Sequence, residues 1–495
     1  MRTYEFWADK AAGLSIRNQA FIGGQYVDAL SGKTFSSINP ATAESLVQVA
    51  ECDGADVDLA VKVARDAFED GRWSNMHPAQ RGKRLMRLGD LIMEHREELA
   101  LLESLDMGKP VSDAMAIDIP GCARAIHWYG EAADKLMDEI APTDPSALAM
   151  VTREALGVIG IVVPWNFPLM MACWKIGPAL AAGNSIVLKP AEQSPLSILR
   201  LAELASEAGI PDGVLNVLPG FGETAGQALG LHMDVDMIAF TGSTQVGKLF
   251  MQYSGQSNLK RVSLECGGKS PHIITQDCPD LDKAAAAAAS AIFFNQGEVC
   301  TAGSRLLVDR AIKDEFMEKL SRASASHVVG DPLHPDTTMG ALVEEGHMKR
   351  VLGYIDTAKA EGATLTLGGT RTEGRAGYFV DPTIFDDVTP DMTIAREEIF
   401  GPVLSVLTFD GEEEAIRIAN DTIYGLAAAV WCRDISQAHR MARALRAGTV
   451  WVNCWDPTGD MTVPFGGFKQ SGFGRDKSLH ALEKYTDLKT TWIQL

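Results

Sequence analysis

The sequence has no apolar stretch long enough to cross a membrane. Its longest apolar run, 156–165, spans about ten residues, whereas a membrane-spanning helix needs about twenty. The segment 1–10 lacks both the apolar core and the small-residue cleavage site of a secretory signal. These absences predict a cytoplasmic protein that does not have a membrane as its partner.

Basic residues are scarce relative to acidic ones. The chain has 45 Lys and Arg against 65 Asp and Glu, which gives a formal net charge of −20 at pH 7. This excess of negative charge argues against nucleic acid or an anionic membrane surface as the main partner. It is compatible with a cationic small molecule, and equally with a solvated acidic surface that has no specific function.

Paired cysteines are also missing. The eight cysteines are scattered between residues 52 and 454, with no CxxC pair and no Cys/His cluster at zinc spacing. This distribution argues against a disulfide framework and against structural zinc, so we expect no metal. Most of these cysteines should be small buried hydrophobic residues.

Helical and extended patterns alternate along the 495 residues, a length that suggests about two to four structural units. Segments 56–70 and 78–105 carry apolar residues at helical spacing with charges between them. Short, continuous apolar runs between helices are typical of strands buried on both faces, and so of a parallel α/β sheet. These runs are 157–163, 185–188, 215–217, 237–240 and 272–275.

A second series of helices and strands follows a change near residue 265. Its predicted helices are 281–294, 312–323, 345–361, 412–420 and 436–444, and its predicted strands are 304–308, 403–409, 427–431 and 449–453. Two further extended segments, 147–153 and 489–493, have no obvious partner in either series. We expect them to pair elsewhere in the molecule or with a second copy.

Glycine-containing motifs indicate a phosphate site. Gly242 and Ser243 follow a predicted strand and open a helix, whose free N–H groups can receive a phosphate. The segment 220–226, which includes Gly222, nearly matches a dinucleotide fingerprint, but its last glycine is one residue late. It could equally be a turn that begins a helix.

Two further motifs place polar groups beside predicted strands. Lys189 and Glu192 follow a strand, where ligands of parallel sheets bind, and they could hold a ribose or form a surface ion pair. Glu398 and Phe400 lie in a loop before a strand. The carboxylate could accept a hydrogen bond from a ribose, and the ring could pack on a flat ligand.

Three residues are candidates for chemistry. Cys300 follows a glycine-bearing turn among small residues, as an accessible nucleophile requires, although it could be a core cysteine. Glu265 beside two glycines could be a general base if burial raises its pKa, or it could form a structural ion pair with Lys269. The Asn166 amide, flanked by aromatic residues and prolines, could donate to an oxyanion or simply occupy a turn.

Taken together, these motifs resemble the aldehyde dehydrogenase superfamily over essentially the whole chain. In the expected order they are PWNFP at 164–168, KPAE at 189–192, FTGST at 240–244, LECGGKSP at 264–271, NQGEVC at 295–300, EEIFGPV at 397–403 and PFGGFKQSG at 464–472.

The resemblance implies an α/β protein with the aldehyde dehydrogenase fold. This fold has a Rossmann-like coenzyme domain, an α/β catalytic domain and a β-arm for oligomerisation. The implied boundaries are 1–137 with 157–265 for the NAD-binding domain, 266–470 for the catalytic domain, and 138–156 with 471–495 for the arm and C-terminal strand. The arm implies a homotetramer, built as a dimer of dimers, or a homodimer.

The same resemblance implies NAD-dependent oxidation of an aldehyde to its carboxylic acid, through a thiohemiacetal and a thioester. Cys300 would be the nucleophile, Glu265 the general base and Asn166 the oxyanion donor. Lys175 and Asp476 resemble a relay that cycles the base.

The implied cofactor is NAD. A carboxylate at Glu192 suits a cofactor without a 2′-phosphate, because two negative groups would otherwise meet in one pocket. The ratio of NAD to NADP use stays open. The implied cofactor contacts are Trp165, Lys189, Glu192, Gly222, Gly242, Ser243, Val246, Glu398 and Phe400.

The substrate class rests on segments 105–121 and 459–493. They resemble bacterial dehydrogenases of ω-amino-type aldehydes, such as γ-glutamyl-γ-aminobutyraldehyde and 4-guanidinobutyraldehyde, from polyamine and arginine catabolism. Asp118 and Asp460 would then face a cationic tail, although each could be a carboxylate on a helix surface or in a turn. The residues implied to line an apolar tunnel, which could equally belong to the core, are Phe167, Met171, Trp174 and Trp455.

Two alternatives remain beside this hypothesis. One is a broad-specificity dehydrogenase of aliphatic and aromatic aldehydes; the other is a non-catalytic binding or structural protein of the same fold, which would be expected to have lost its catalytic residues. The chain departs from the family pattern at Cys266, where Leu is usual, and at His272, where Asn is common. Cys266 lies beside the candidate base and could be sensitive to oxidation.

Overall fold

The computed structural model describes residues 2–457 and 460–495. Met1, which the predicted N-terminal domain includes, and residues 458–459, which the predicted catalytic domain includes, lie outside the described residues. In the described part of the chain, no helix is long and apolar enough to cross a membrane.

The strands, in chain order, are β1 (Ala20–Ile22), β2 (Gln25–Val27), β3 (Thr34–Asn39), β4 (Glu44–Ala50), β5 (Glu139–Ala141), β6 (Ala147–Ala155), β7 (Val158–Val162), β8 (Ser185–Lys189), β9 (Leu215–Val217), β10 (Met237–Thr241), β11 (Arg261–Glu265), β12 (Pro271–Ile274), β13 (Arg305–Asp309), β14 (Thr364–Leu367), β15 (Thr383–Asp386), β16 (Val403–Phe409), β17 (Ala427–Trp431), β18 (Thr449–Val452), β19 (Gly472–Phe473) and β20 (Thr486–Gln494).

The α-helices are α1 (Tyr4–Ala12), α2 (Gly54–Glu69), α3 (Pro78–Glu94), α4 (Arg96–Met107), α5 (Val111–Asp113), α6 (Ile119–Ala132), α7 (Pro168–Ala181), α8 (Leu196–Glu207), α9 (Gln227–Leu231), α10 (Thr244–Gln256), α11 (Leu281–Phe293), α12 (Lys313–Ser324), α13 (Glu345–Ala360), α14 (Thr393–Arg396), α15 (Glu412–Asn420), α16 (Ile435–Ala444) and α17 (His480–Glu483). A 3₁₀ turn covers Phe294–Gly297.

The first sheet has the order β19-β11-β10-β7-β8-β9-β1-β2, and its strands from β11 to β9 are parallel neighbours. Strands β8 and β9 extend the sheet to one side of β7, whereas β10 and β11 extend it to the other side. Every residue of β7, β8 and β10 is buried, as expected for strands covered by helices on both faces. The chain therefore reverses its direction of growth beside β7, and ligands of α/β sheets bind at such a reversal.

The second sheet, ordered β14-β15-β16-β13-β12-β17-β18, is parallel except for its edge strand β14. The two α/β series predicted from the sequence are thus two separate sheets. The mixed α/β class is confirmed by this topology.

A third sheet, ordered β20-β6-β5, joins the two extended segments that had no obvious partner. β20 pairs antiparallel with β6 over nine positions, from Thr486 opposite Ala155 to Gln494 opposite Ala147. The domain boundaries themselves stay a prediction. Within the predicted 471–495 segment, the short strand β19 belongs to the first sheet.

Asn184 connects the first sheet to the chain segment before β20. Its buried amide donates to the carbonyls of Ala179 and Tyr485 and accepts from the Gly157 N–H, at 2.9–3.1 Å. One side chain thereby satisfies backbone groups of three segments that would otherwise be unpaired in the interior.

We expect the Asn184→Ala variant to lower the free energy of unfolding by roughly 2–4 kcal/mol, because it leaves buried backbone groups unpaired. A thermal melt would measure this as a lower Tm. Asn18→Ala, which loses one exposed hydrogen bond to Gln48, is the matched control. Equal melting temperatures for the two variants would contradict the proposed connection.

Candidate active site

Four of the motifs lie at the carboxyl ends of neighbouring parallel strands. Trp165 follows β7, Lys189 ends β8, Gly242 follows β10 and Glu265 ends β11. Because these strands are adjacent and parallel, their ends meet at one edge of the sheet. The topology thus brings together residues that are as many as 100 positions apart in the chain.

Cys300 lies in a loop whose backbone is unusual. Asn295, Gln296 and Gly297 are consecutive left-handed residues, with φ of 49°, 57° and 73°. A Cβ on Gly297 would lie 2.3 Å from the backbone of Gly401, so only glycine allows the two loops to pack. The Cys300 loop is therefore in backbone contact with the loop that carries Glu398 and Phe400.

The two glycines after Cys266 have specific neighbours. A Cβ on Gly267 would lie 1.9 Å from a Glu398 carboxylate oxygen, and one on Gly268 would lie 2.5 Å from the Cys300 carbonyl. The Gly268 N–H donates to Glu398 at 2.8 Å. The missing side chains thus allow Glu398 and Cys300 to approach the end of β11.

Asn166 lies against the Cys300 loop. Its amide donates to the Glu298 carbonyl at 2.9 Å, and its own carbonyl accepts from the Asn295 amide at 3.2 Å. Among the described residues, the Glu298 carbonyl is the one acceptor of the Asn166 NH₂ group. The second N–H of that group therefore remains available. The amide can therefore serve as an oxyanion donor beside Cys300.

Cys300 as a whole residue is partly exposed, yet the surroundings of its sulfur disfavour the thiolate. Burial of the sulfur raises its pKa to about 12, and the charges of Glu398, Asp456 and Glu265 act in the same direction. The thiol therefore carries its proton near neutral pH and must lose it when it reacts.

The Glu265 side chain is only 3% exposed, and neither carboxylate oxygen has a hydrogen-bond partner among the described residues. Burial raises its pKa well above the usual value, and the Asp476 charge adds to this effect. The ammonium groups of Lys484 and Lys175 act in the opposite direction. A Cβ on Gly466 would lie 2.8 Å from Glu265, which explains the small residue in that motif.

Asp476 lies between two lysines. Lys175 donates to one of its oxygens at 2.5 Å, and Lys484 donates to the other. Burial opposes the charge on Asp476, but the two ammonium groups keep its pKa below the usual value. Lys484 was not predicted from the sequence, since a lysine near the C-terminus carries no signal of burial.

The cofactor candidates occupy two places along the same edge. Ser243 caps α10, and its hydroxyl accepts from the Val246 N–H at 3.2 Å. Lys189 is buried, with its ammonium 3.0 Å from Glu192 and 2.8 Å from the Pro190 carbonyl. Gly222 begins a single π-helical turn and has open space where a Cβ would stand.

Around Trp165, the structure adds a histidine that the sequence did not predict. The Trp165 ring lies 5.2 Å from the Phe400 ring and 5.3 Å from the His347 ring, measured between centroids. His347 lies 2.6 Å from the Phe400 carbonyl and 3.5 Å from the Glu298 carboxylate. It therefore joins the Glu398–Phe400 loop to the Cys300 loop.

The predicted lining residues Phe167 and Trp174 each pack against another aromatic ring. The Phe167 ring stacks 6.2 Å from Phe294, and the Trp174 ring meets Phe465 edge-on at 5.3 Å. Met171 is buried in the core that includes Phe167, so its prediction as a lining residue remains open.

Trp455 stacks on His272 at 4.7 Å with an interplanar angle of 14°. His272 in turn accepts from the Trp431 indole N–H at 2.8 Å. The departure from asparagine at this position therefore supplies a flat surface for Trp455.

The two predicted substrate carboxylates differ in position. Asp118 is buried and pairs with the Lys109 ammonium at 2.8 Å, which also lies 3.7 Å from the Glu103 carboxylate, so Asp118 belongs to a buried ion cluster. Asp460 is exposed, and it accepts hydrogen bonds from the backbone and hydroxyl of Thr462 at 2.7 Å. A carboxylate that was not predicted, Asp456, lies nearer the nucleophile, with Thr301 donating to it at 3.4 Å.

Comparisons with known proteins all point to the same family as the sequence motifs. The sequence pattern of the aldehyde dehydrogenase family matches residues 26–491. The NADP/NAD-dependent aldehyde dehydrogenase PuuC of Escherichia coli K12 is 55% identical over 490 residues, which are 99% of this chain and 98% of that protein.

Two solved structures are similar over the whole of both chains. One is γ-glutamyl-γ-aminobutyraldehyde dehydrogenase from Burkholderia cenocepacia J2315, with 57% identity and a TM-score of 0.98. The other is a mutant of the indole-3-acetaldehyde dehydrogenase AldA of P. syringae, in complex with NAD⁺ and IAA, with 59% identity and a TM-score of 0.99.

We expect two substitutions to move the pKa of Glu265 in opposite directions. Asp476→Asn removes a neighbouring negative charge and should lower the pH at which Glu265 ionises, whereas Lys484→Met removes a positive charge and should raise it. Difference infrared spectra against the same variants with Glu265→Gln would measure the carboxyl band. Shifts in the same direction would contradict the charge assignment.

Proposed function

The chain belongs to the aldehyde dehydrogenase family and oxidises aldehydes with NAD, and from this premise we propose the roles of its residues. The Cys300 sulfur adds to the aldehyde carbon, while its thiol proton passes to the Glu265 carboxylate, whose charge acts on the thiol. The oxygen then carries negative charge, which the free N–H of Asn166 and the backbone N–H of Cys300 stabilise. The supporting observation is the contact between the Asn166 amide and the loop that ends in Cys300.

We propose Glu265 as the base that activates water to hydrolyse the thioester on Cys300. Its high pKa, which follows from burial, makes it a strong proton acceptor once it is ionised. The ammonium groups of Lys175 and Lys484 favour the ionised form and, with Asp476, provide a route by which the proton leaves.

The residues at the strand ends fit NAD⁺, which when bound supplies the acceptor for the hydride lost from the substrate carbon. The N-terminus of α10, capped by Ser243 after Gly242, suits the pyrophosphate. Lys189 and Glu192 suit the adenosine ribose, and the Glu192 charge disfavours a 2′-phosphate.

We assign Glu398, Trp165 and Phe400 to the nicotinamide side, because they lie next to the Cys300 loop. The two remaining predicted contacts, Gly222 and Val246, stay with the pyrophosphate side.

For the substrate we propose an ω-amino-type aldehyde, such as γ-glutamyl-γ-aminobutyraldehyde or 4-guanidinobutyraldehyde. The support comes from the 57%-identical γ-glutamyl-γ-aminobutyraldehyde dehydrogenase of solved structure, and from the carboxylates of Asp456 and Asp460, which both act on Lys477 beside the Trp174 ring. The second candidate is a broad range of aromatic and aliphatic aldehydes, which the rings of Trp174, Phe465 and Trp455 favour. We leave Asp118 out of the substrate site, because its carboxylate is buried and already paired with Lys109.

We further propose a homodimer or a homotetramer in the cytoplasm. The arm sheet exposes apolar side chains along β20, including Leu488 at 60% and Trp492 at 61%, and a second copy would cover them. The unpaired cysteines suit a reducing compartment.

The catalytic assignment predicts different losses for two variants. Cys300→Ala should form no NADH with butanal, because no thioester can form. Glu265→Gln should retain at most a first burst of NADH, with steady turnover reduced by roughly 10²–10⁴-fold, since hydrolysis lacks its base. Stopped-flow absorbance distinguishes these outcomes. Full steady turnover in Glu265→Gln would exclude it as the base.

The substrate assignment predicts that kcat/KM for an ω-amino-type aldehyde exceeds that for butanal by at least about tenfold, the effect of about 1.4 kcal/mol of added interaction. The measurement is a panel of charged and neutral aldehydes with NAD⁺. A preference for neutral aromatic aldehydes would favour the second candidate instead.

A further inference from the structure

Lys477 directly follows Asp476 in the chain, but it does not take part in the contacts of Asp476 with Lys175 and Lys484. Its ammonium stands 5.4 Å from the centroid of the Trp174 ring, over the indole face. Among the residues that the structure describes, Lys477 makes no ion pair with any carboxylate. A partly buried cation without a paired anion is unusual, because desolvation disfavours the charge.

The backbone holds Lys477 in this position. Lys477 and Ser478 both have left-handed backbone conformations, with φ of 61° and 51°, which non-glycine residues rarely adopt. The segment is fixed by hydrogen bonds on both sides: Asp476 exchanges two with Phe465, and the Ser478 N–H donates to the Met461 carbonyl at 2.8 Å. The direction of the lysine is therefore determined by the fold.

Burial and nearby charges act on the Lys477 ammonium in opposite directions, and the net effect is a pKa below the usual value. Desolvation lowers its pKa, whereas the negative charges of Asp456 and Asp460 raise it. Asp456 also contacts Thr301, the residue after the nucleophile. Lys477 thus lies beside Trp174, and Asp456 connects its surroundings to the Cys300 loop.

We propose that Lys477 binds a carboxylate carried by the substrate at the end remote from its aldehyde. An ammonium that is partly removed from water and makes no close ion pair with a described carboxylate can form one with a carboxylate of the substrate. This inference rests on the proposed function and narrows the class of substrate that it names. It favours an aldehyde with an amino-acid end, such as a γ-glutamyl derivative, over 4-guanidinobutyraldehyde, whose tail has only positive charge and is repelled by Lys477.

The test compares Lys477→Met with the wild-type enzyme on γ-glutamyl-γ-aminobutyraldehyde, 4-guanidinobutyraldehyde and butanal. We expect the ratio of kcat/KM for the γ-glutamyl substrate to that for butanal to fall by about 10–100-fold, the range of a charge-assisted hydrogen bond. The ratio for 4-guanidinobutyraldehyde to butanal should rise. Lys477→Arg keeps the positive charge and should keep most of the preference.

Lys489→Met is the matched control, because Lys489 is an exposed lysine of the arm paired with Glu154. It should leave both ratios at the wild-type value. Unchanged ratios in Lys477→Met, or equal losses in Lys477→Met and Lys477→Arg, would overturn the inference while the proposed function stands. A wild-type enzyme that forms no NADH with any of the three aldehydes would overturn both.

Discussion

The burial of the Glu265 carboxyl group, without any described hydrogen-bond partner, is the constraint on which the rest of the site depends. Burial alone would hold this group in its neutral form. Two lysines and one aspartate act on it from outside its own strand, Lys175 from α7 and the others from the C-terminal segment. The site therefore requires that β11, α7 and the segment before β20 meet, which the first sheet and its helices ensure.

Close backbone packing is the second requirement. At Gly297, Gly267, Gly268 and Gly466, an added Cβ would lie 1.9–2.8 Å from a backbone or carboxylate atom of another loop. These four positions bring the nucleophile, the candidate base and Glu398 within reach of one another. The glycines of the motifs thus mainly allow segments of this chain to pack closely against one another, in addition to any approach of a ligand.

The net charge of −20 has little to do with substrate recognition. Salt screens charges over about 8–10 Å, so the charged groups that act on a bound substrate are those close to it. The structure places Asp456 and Asp460 within electrostatic range of Lys477, whose ammonium lies over the Trp174 ring. We therefore expect these three local charges, rather than the acidic surface, to have the larger effect on which substrate tails are accepted.

The sequence by itself determined the strands at 215–217 and 427–431 to the residue, because a strand buried on both faces leaves a continuous apolar run. It did not predict α7, which is apolar on all sides and has no helical period, or β14, an exposed edge strand. The segment 78–105 appeared continuous, yet it divides into two helices at His95.

The motifs likewise determined which residues belong to the site, since glycines, a cysteine and carboxylates at strand ends are visible in one dimension. Only the tertiary structure decided the environment of each one. It placed Asp118 against Lys109, Lys484 against Asp476, and His347 between two loops. The charge state of a side chain depends on its burial and on its ion-pair partners. Because both are set by residues that are distant in the chain, no local sequence pattern can specify that charge state.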